Sequence, residues 1–259
     1  FGLADHQRLA AGVGAGHHQQ QRLGLFQPRH AGRSARRFVE QQVMQRRVRQ
    51  HQAQVRQTGR ETGQAPLGFR ALAQQDDPQG EYRSPVFGEG GVASGALLIG
   101  EAPGAEETKL GRPFVGKAGK QLDVLFCRFG VMREDAYITN VVKYRPVVRS
   151  EKSTRNRTPL PAEVGTSLPL LQREIELIQP KLILTLGNTP LKAVFALAGE
   201  KPPVIGSAHG KALPLTIAGV SFTLIPLYHP ASGIYNRTLV EVMELDAAFV
   251  GQQVAQLQA

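Results

Sequence analysis

Three short segments of this 259-residue chain carry side chains that could hold a flat polar ring and stabilise charge on it. They are Gly100-Glu101-Ala102-Pro103-Gly104, Pro113-Phe114-Val115-Gly116 and, far downstream, Tyr228-His229-Pro230-Ala231, with Asn140 between the second and third. A phenyl face can stack on a ring, and a carboxamide offers one donor and one acceptor edge. A neutral imidazole can donate to a developing anion, and a carboxylate such as Glu101 can orient water or face a cationic centre. Each residue also has a plainer use. Phe114 could pack in a core, Asn140 could cap a turn, His229 could be held by backbone groups, and a glycine-rich loop could simply be a turn. Their placement favours the chemical reading, because each follows or flanks an apolar run that reads as a strand. In an open α/β sheet the C-terminal strand ends form the ligand crevice.

The elements that must position these residues begin near residue 83. Apolar runs at 96–100, 136–142, 181–187 and 222–227 read as buried parallel strands, rich in Ile, Leu and Val. Amphipathic stretches at 117–128, 161–178, 189–198 and 237–256 read as helices; Leu170, Leu171, Ile175 and Ile178 form one such apolar stripe. Strands alternating with helices predict a layered α/β domain over residues 83–259.

Residues 1–82 differ in kind. They contain Gln19-Gln20-Gln21, Arg36-Arg37 and Gln45-Arg46-Arg47-Val48-Arg49-Gln50, five of the seven His, twelve Arg against six acidic residues, and no Lys before Lys109. More than half of the net charge of +10 therefore sits in this low-complexity N-terminal extension. A basic DNA-binding arm, with a helix over 34–57, is one reading. Disorder, or a translation artefact of GC-rich non-coding or out-of-frame sequence, fits the composition better. The single Cys127 excludes an intrachain disulfide and a cysteine-ligated metal centre, so no metal is expected. No secretory grammar opens the chain and no run approaches membrane-spanning length, so a cytoplasmic protein with no membrane partner is expected.

The domain resembles the uracil-DNA glycosylase superfamily, above all its family-four branch, in residues and in motif order. The resemblance rests on Gly100-Glu101-Ala102-Pro103-Gly104-Ala105-Glu106-Glu107, Gly111-Arg112-Pro113-Phe114-Val115-Gly116-Lys117-Ala118-Gly119, Tyr137-Ile138-Thr139-Asn140-Val141-Val142-Lys143 and Tyr228-His229-Pro230-Ala231. It implies a three-layer α/β/α sandwich around a four-stranded parallel sheet and hydrolytic excision of uracil from DNA, leaving an abasic site. It assigns uracil binding to Gly100, Glu107, Phe114, Asn140 and His229, and catalysis to Glu101 and His229. Phe114 would stack on the flipped base, Asn140 would read O4 and N3–H, and His229 would donate to O2. Glu107 would fill the space of the thymine methyl group, a surface ion pair being its plainer alternative. The better-known branch carries a water-positioning Asp where this chain has Ala102, leaving Glu101 as the nearest carboxylate.

The same resemblance implies DNA contacts from Ser232, Ile234, Tyr235 and Arg237, with Ile234 or Tyr235 as a wedge; a helix lead-in capped by Asn236 is the alternative. The polar segment around Arg149, Lys152, Arg155 and Arg157 reads as a mobile loop touching phosphate. It has no His, so the covalent trapping of a related branch is not expected. Family-four members usually hold an iron–sulfur cluster through four cysteines; here two ligand positions correspond to Tyr144 and Ser167, and no cluster is expected. His209 and Gly210 read as structural, before a hairpin. The expected partner is uracil-containing DNA, bound by a monomer. Two rivals stand beside uracil excision: a broader glycosylase for hypoxanthine or xanthine, and a silent DNA-binding relative. If the extension is dispensable, removal of residues 1–82 should leave uracil release from short duplexes within about twofold of the full chain, since phosphate contacts by a basic arm would add affinity rather than chemistry. A large loss of turnover would restore the extension as a functional part.

Overall fold

The computed structural model describes residues 85–258. The extension at 1–82 lies outside the described residues. In chain order the elements are β1 (Glu89–Gly90), β2 (Ala96–Gly100), α1 (Ala105–Leu110), α2 (Lys117–Phe129), β3 (Tyr137–Asn140), β4 (Val147–Ser150), β5 (Ser153–Asn156) and α3 (Pro161–Ile178). There follow β6 (Leu182–Leu186), α4 (Asn188–Ala198), α5 (Ile205–Ala208), β7 (Leu213–Ile217), β8 (Val220–Leu227), α6 (Ser232–Tyr235) and α7 (Thr238–Gln258).

The four apolar runs form the parallel centre of the sheet, in the order β3-β2-β6-β8. β2 and β6 are buried at every position, which is why they read as continuous apolar runs rather than as alternations. Two antiparallel edges extend the sheet to six strands: β1 beside β3 and β7 beside β8. β7 and β8 make the hairpin expected after His209, closed at Ala218 (φ 49°) and Gly219 (φ 79°), two successive left-handed residues as a tight primed turn requires.

Side chains alternate across the sheet. Leu97, Ile99, Ile183 and Leu224 pack with Leu171 and Ile175 of α3 and Leu191 and Val194 of α4. Leu98, Leu184 and Ile225 face the other way, against Leu122, Phe126 and Phe129 of α2 and Val250 and Val254 of α7. These two cores make the three-layer α/β/α sandwich. Among the described residues no helix is long and apolar enough to cross a membrane.

One expected feature is replaced. The polar segment from Arg149, expected as a loop, is the antiparallel β4–β5 hairpin, pairing Val147 with Asn156 and Ser150 with Ser153. β5 is exposed at all four positions, so no buried face imposes the alternation by which a strand is recognised. The hairpin is anchored at its base, where Arg157 donates to the Val147 carbonyl at 3.2 Å and makes a two-pronged pair with Glu163 at 2.7 and 2.8 Å.

At the end of β3 a buried polar network stands where apolar packing would be usual. Lys143 Nζ donates to Glu174 Oε2 at 2.6 Å, to Thr139 Oγ1 at 2.7 Å and to the Asn140 carbonyl at 2.6 Å. Burial pushes the lysine pKa down, and Glu174 opposes that shift. Removing one partner strands a charge, whereas removing both does not. Glu174→Gln should therefore cost about 3–5 kcal/mol in urea denaturation, and Lys143→Met with Glu174→Leu should recover most of it. A single variant as stable as the parent would show that the pair carries no such strain.

Candidate active site

The strand order places β2 next to β6 while their onward connections leave toward opposite edges of the sheet, to β3 and to β8. That is a topological switch point, where a crevice opens outside the strand ends. A cleft of ≈ 800 Å³ lies there, lined among others by Glu101, Glu107, Phe114, Asn140, Thr189 and His229. Its size suits a small ligand. Four residues that sequence alone placed at separate strand ends thus share one cavity.

Gly100, the last residue of β2, is the hinge of the arrangement. A Cβ at this position would run into both Asn140 Oδ1 and the Phe114 ring, so only glycine lets the two approach each other. Phe114 is 7% exposed and belongs to the core beneath α2 while also lining the cleft, so core packing and access to the cleft are compatible at this position. Its backbone is left-handed (φ 51°), a conformation that costs a bulky residue about 1–3 kcal/mol and persists only where the surroundings enforce it. The enforcement is visible. Arg133 Nη2 donates to the carbonyls of Pro113 and Phe114 at 2.9 and 3.1 Å, and Gly119 admits the Phe114 carbonyl so closely that a Cβ there would overlap it.

Glu107 completes the clamp. Its Oε1 accepts from Val115 N at 3.0 Å and Gly116 N at 2.7 Å, and its Oε2 accepts from Gly104 N at 3.1 Å. The carboxylate lines the cleft with its oxygens committed to backbone N–H groups rather than to a surface ion pair.

Asn140 is 2% exposed, and its Oδ1 is a buried acceptor with no hydrogen-bond partner among the described residues. Leaving such an atom unpaired costs about 1–3 kcal/mol, so an orphan acceptor facing a cleft marks a place for a ligand donor. Its backbone is fixed separately by Lys143, as above, and by Val141 N donating to the Gly100 carbonyl at 2.9 Å.

His229 follows β8. Its Nδ1 accepts from Ala231 N at 3.2 Å, which assigns the ring proton of the neutral form to Nε2. Burial lowers its pKa below the ordinary histidine value, so the ring is neutral at pH 7. The imidazole and the Phe114 ring are 6.4 Å apart between centroids. The site therefore presents a neutral N–H donor beside an aromatic platform and an unpaired amide oxygen.

Glu101 lines the cleft, and its Oε2 accepts from Thr189 Oγ1 at 2.6 Å. Thr189, with Gly187 of the β6–α4 turn and Asn188 and Lys192 of α4, was not singled out from sequence. The signal was present, since Gly187 ends an apolar run just as Gly100 does. Lys117 and Asn156 also reach the cleft unpredicted.

Of the residues expected to meet DNA, Ser232 and Arg157 line the cleft. Ser232 lines the cleft and starts α6, which also contains Ile234 and Tyr235; the side chains of those two lie outside the described residues. Asn236 Oδ1 accepts from Thr238 N at 3.1 Å and Oγ1 at 2.7 Å, starting α7 as the helix lead-in reading expected. Arg237 is exposed, as are Lys152 and Arg155 on the hairpin, while Arg149 is half-buried. Arg157 lines the cleft but holds Glu163. Tyr144 and Ser167 are both buried, Tyr144 within the core and Ser167 donating to the Glu163 carbonyl at 2.8 Å.

The His229 assignment can be read directly. Nitrogen-resolved NMR of the imidazole should find Nε2 protonated at neutral pH and a titration midpoint below about 6.5, since desolvation disfavours the charged form. A midpoint at or above that value, or the opposite tautomer, would remove the donor.

Residues 87–251 match the Uracil DNA glycosylase superfamily, a span that contains every strand, helix start and cleft residue just described from β1 to the body of α7. The chain is 41% identical over 172 residues to a type-4 uracil-DNA glycosylase of Pyrobaculum aerophilum, covering 66% of this chain and 84% of that one. It is 39% identical over 162 residues to a type-4 uracil-DNA glycosylase of Sulfurisphaera tokodaii, with 62% and 70% covered. For the protein of the same type in Archaeoglobus fulgidus the figures are 36% over 167 residues, 64% and 80%. With the glycine-rich loop, the Phe114 platform, Asn140 and His229 gathered at one switch point, this chain belongs to the uracil DNA glycosylase superfamily, on its type-4 branch.

Proposed function

We propose that this chain takes uracil out of the DNA stack and hydrolyses its N-glycosidic bond, leaving an abasic site. The observation that carries the reading is the buried, unpartnered Asn140 Oδ1 beside the Phe114 ring. Uracil N3–H is the donor that atom lacks, and the same carboxamide can donate to O4. Cytosine has no proton at N3 and an amino group in place of O4, so it would leave both edges mismatched.

Bond cleavage moves negative charge onto the base, chiefly at O2, and positive charge onto the sugar. His229 Nε2–H serves the first, without complete proton transfer, because its neutral tautomer is already fixed. The Glu101 carboxylate serves the second and orients the attacking water, in place of the Asp that Ala102 does not supply. Glu107, held by three N–H groups, is the rigid wall that leaves no room for a methyl at C5. Lys117 and Lys192 at the rim, Arg237 before α7, and Lys152 and Arg155 on the hairpin contact phosphate; Ser232, Ile234 and Tyr235 approach the emptied stack.

The iron–sulfur cluster of relatives does not fit these residues. Of the two ligand positions that can be matched, one holds a tyrosine packed in the core and the other a serine bonded within its own helix, and Cys127 is an exposed residue of α2. The proposed enzyme is a monomer of the cytoplasm and works without that group; the purified protein should be colourless, and a visible cluster absorbance would refute this part.

The test is a time course on labelled single- and double-stranded oligonucleotides carrying uracil, hypoxanthine, xanthine or thymine, with alkali revealing abasic sites. Cleavage confined to uracil is expected, and His229→Ala and Asn140→Ala should each lower it by about a hundredfold to a thousandfold while leaving the melting temperature near the parent's. Purine release would move the protein to a broader class, and binding without release would make it a silent relative.

A further inference from the structure

Glu101 reaches the cleft from the loop after β2, with no element of its own to hold it. A flexible carboxylate on a loop is a poor positioner of water unless one of its oxygens is pinned. Thr189 supplies the pin. Its hydroxyl donates to Glu101 Oε2 at 2.6 Å, across 88 positions of sequence, and among the described residues this is the only hydrogen bond of the Glu101 side chain. A carboxylate has two acceptor oxygens, so Oε1 is left for a ligand or water.

We infer that Thr189 is the positioning residue for Glu101, fixing one carboxylate oxygen so that the other faces the reacting sugar and its water. Two features of the fold support this. Thr189 is the second residue of α4, and in such a place a Thr hydroxyl ordinarily serves its own helix; no side chain caps this helix, and the hydroxyl is directed across the sheet edge instead. The start of α4 is itself fixed. Gly187 turns the chain at φ 101°, and its N–H donates to the Leu227 carbonyl at 2.8 Å, tying the turn to the strand that leads to His229. The carboxylate that faces the sugar and the imidazole that faces the base are thus referred to the same turn. The positive end of α4 also favours the anion it holds.

The inference rests on the reading of Glu101 given above, and the experiment separates the two. Single-turnover and steady-state uracil release would be measured for the full chain and for Thr189→Val, Thr189→Ser, Glu101→Ala and the Thr189→Val/Glu101→Ala pair. Thr189 is half-buried at a helix start, so a near-isosteric valine leaves packing intact. Loss of alignment should lower kcat of Thr189→Val about tenfold to a hundredfold with KM within about twofold, and Thr189→Ser should return most of it. On the Glu101→Ala background Thr189→Val should add nothing, because a positioning residue has no effect without the group it positions. Full kcat in Thr189→Val while Glu101→Ala is impaired overturns the role of Thr189 alone, as does an undiminished effect of the valine on the Glu101→Ala background. Full activity in Glu101→Ala overturns both readings together.

Discussion

Three backbone N–H groups from two loops converge on the single carboxylate of Glu107, and the geometry of the cleft follows from that convergence. Gly104 and Gly116 are the N-caps of α1 and α2, and neither has a side chain to serve as a cap. Glu107 does this for both, closing the first turn of its own helix and placing negative charge at the N-terminus of the next. Hydrogen bonds to a charged acceptor are worth about 1.5–3 kcal/mol each, enough to hold two loops in one relation. Phe114 sits on the second loop, so its distance from Gly100 and Asn140 is set by the same carboxylate. Its left-handed backbone is affordable only because Arg133, Gly119 and Glu107 remove the alternatives.

The site gathers three local costs around one cleft. Phe114 is strained, Asn140 Oδ1 is buried without a partner among the described residues, and burial holds the His229 pKa below its ordinary value. Each would be relieved, or put to use, by a flat ring with a donor edge and an acceptor that gains charge. This is preorganisation: the groups are already aimed, so little reorientation remains when charge moves. The frame that withstands these costs is the four-stranded parallel centre, with β2 and β6 buried throughout, and the Lys143–Glu174 pair fixing the Asn140 carbonyl from below.

The parts of the fold legible in sequence were those with a one-sided or fully buried apolar pattern. The four central strands fall within a few residues of the runs at 96–100, 136–142, 181–187 and 222–227, and α3 spans 161–178 as read. What escaped had no such pattern. β1 is two residues long, and β5 is exposed along its whole length, so hydrogen bonding and the Arg157 anchor define the hairpin where hydrophobicity is silent. In the site, Phe114, Asn140 and His229 could be named because strand ends and motif order place them. Thr189 could not, because its importance lies in a bond across 88 positions that leaves no trace in spacing. Nor could sequence tell whether Glu107 faces solvent or backbone; that depended on how closely two glycine-led loops approach.

Charge shows the same division between what composition suggests and what geometry uses. The domain has a modest excess of Arg and Lys over Asp and Glu, and basic residues near a cleft invite reading as DNA contacts. Several of these cations are spent on the fold: Lys143 on Glu174, Arg157 on Glu163, Arg112 on Glu89, and Arg133 on Asp123 and the Phe114 loop. Arg157 is the instructive case, because it lines the cleft and would pass for a phosphate contact by position alone. Its two-pronged bond to a carboxylate that is 2% exposed anchors the hairpin instead, and giving it to a phosphate would take from buried Glu163 its ion-pair contact with Arg157. Exposed cations without an ion-pair partner among the described residues include Lys117 and Lys192, which line the cleft, Arg237 before α7, and Lys152 and Arg155 on the hairpin. The difference between Arg157 and these cations lies in what each already holds: one is bound to a buried carboxylate, and the others are solvated and unpaired among the described residues.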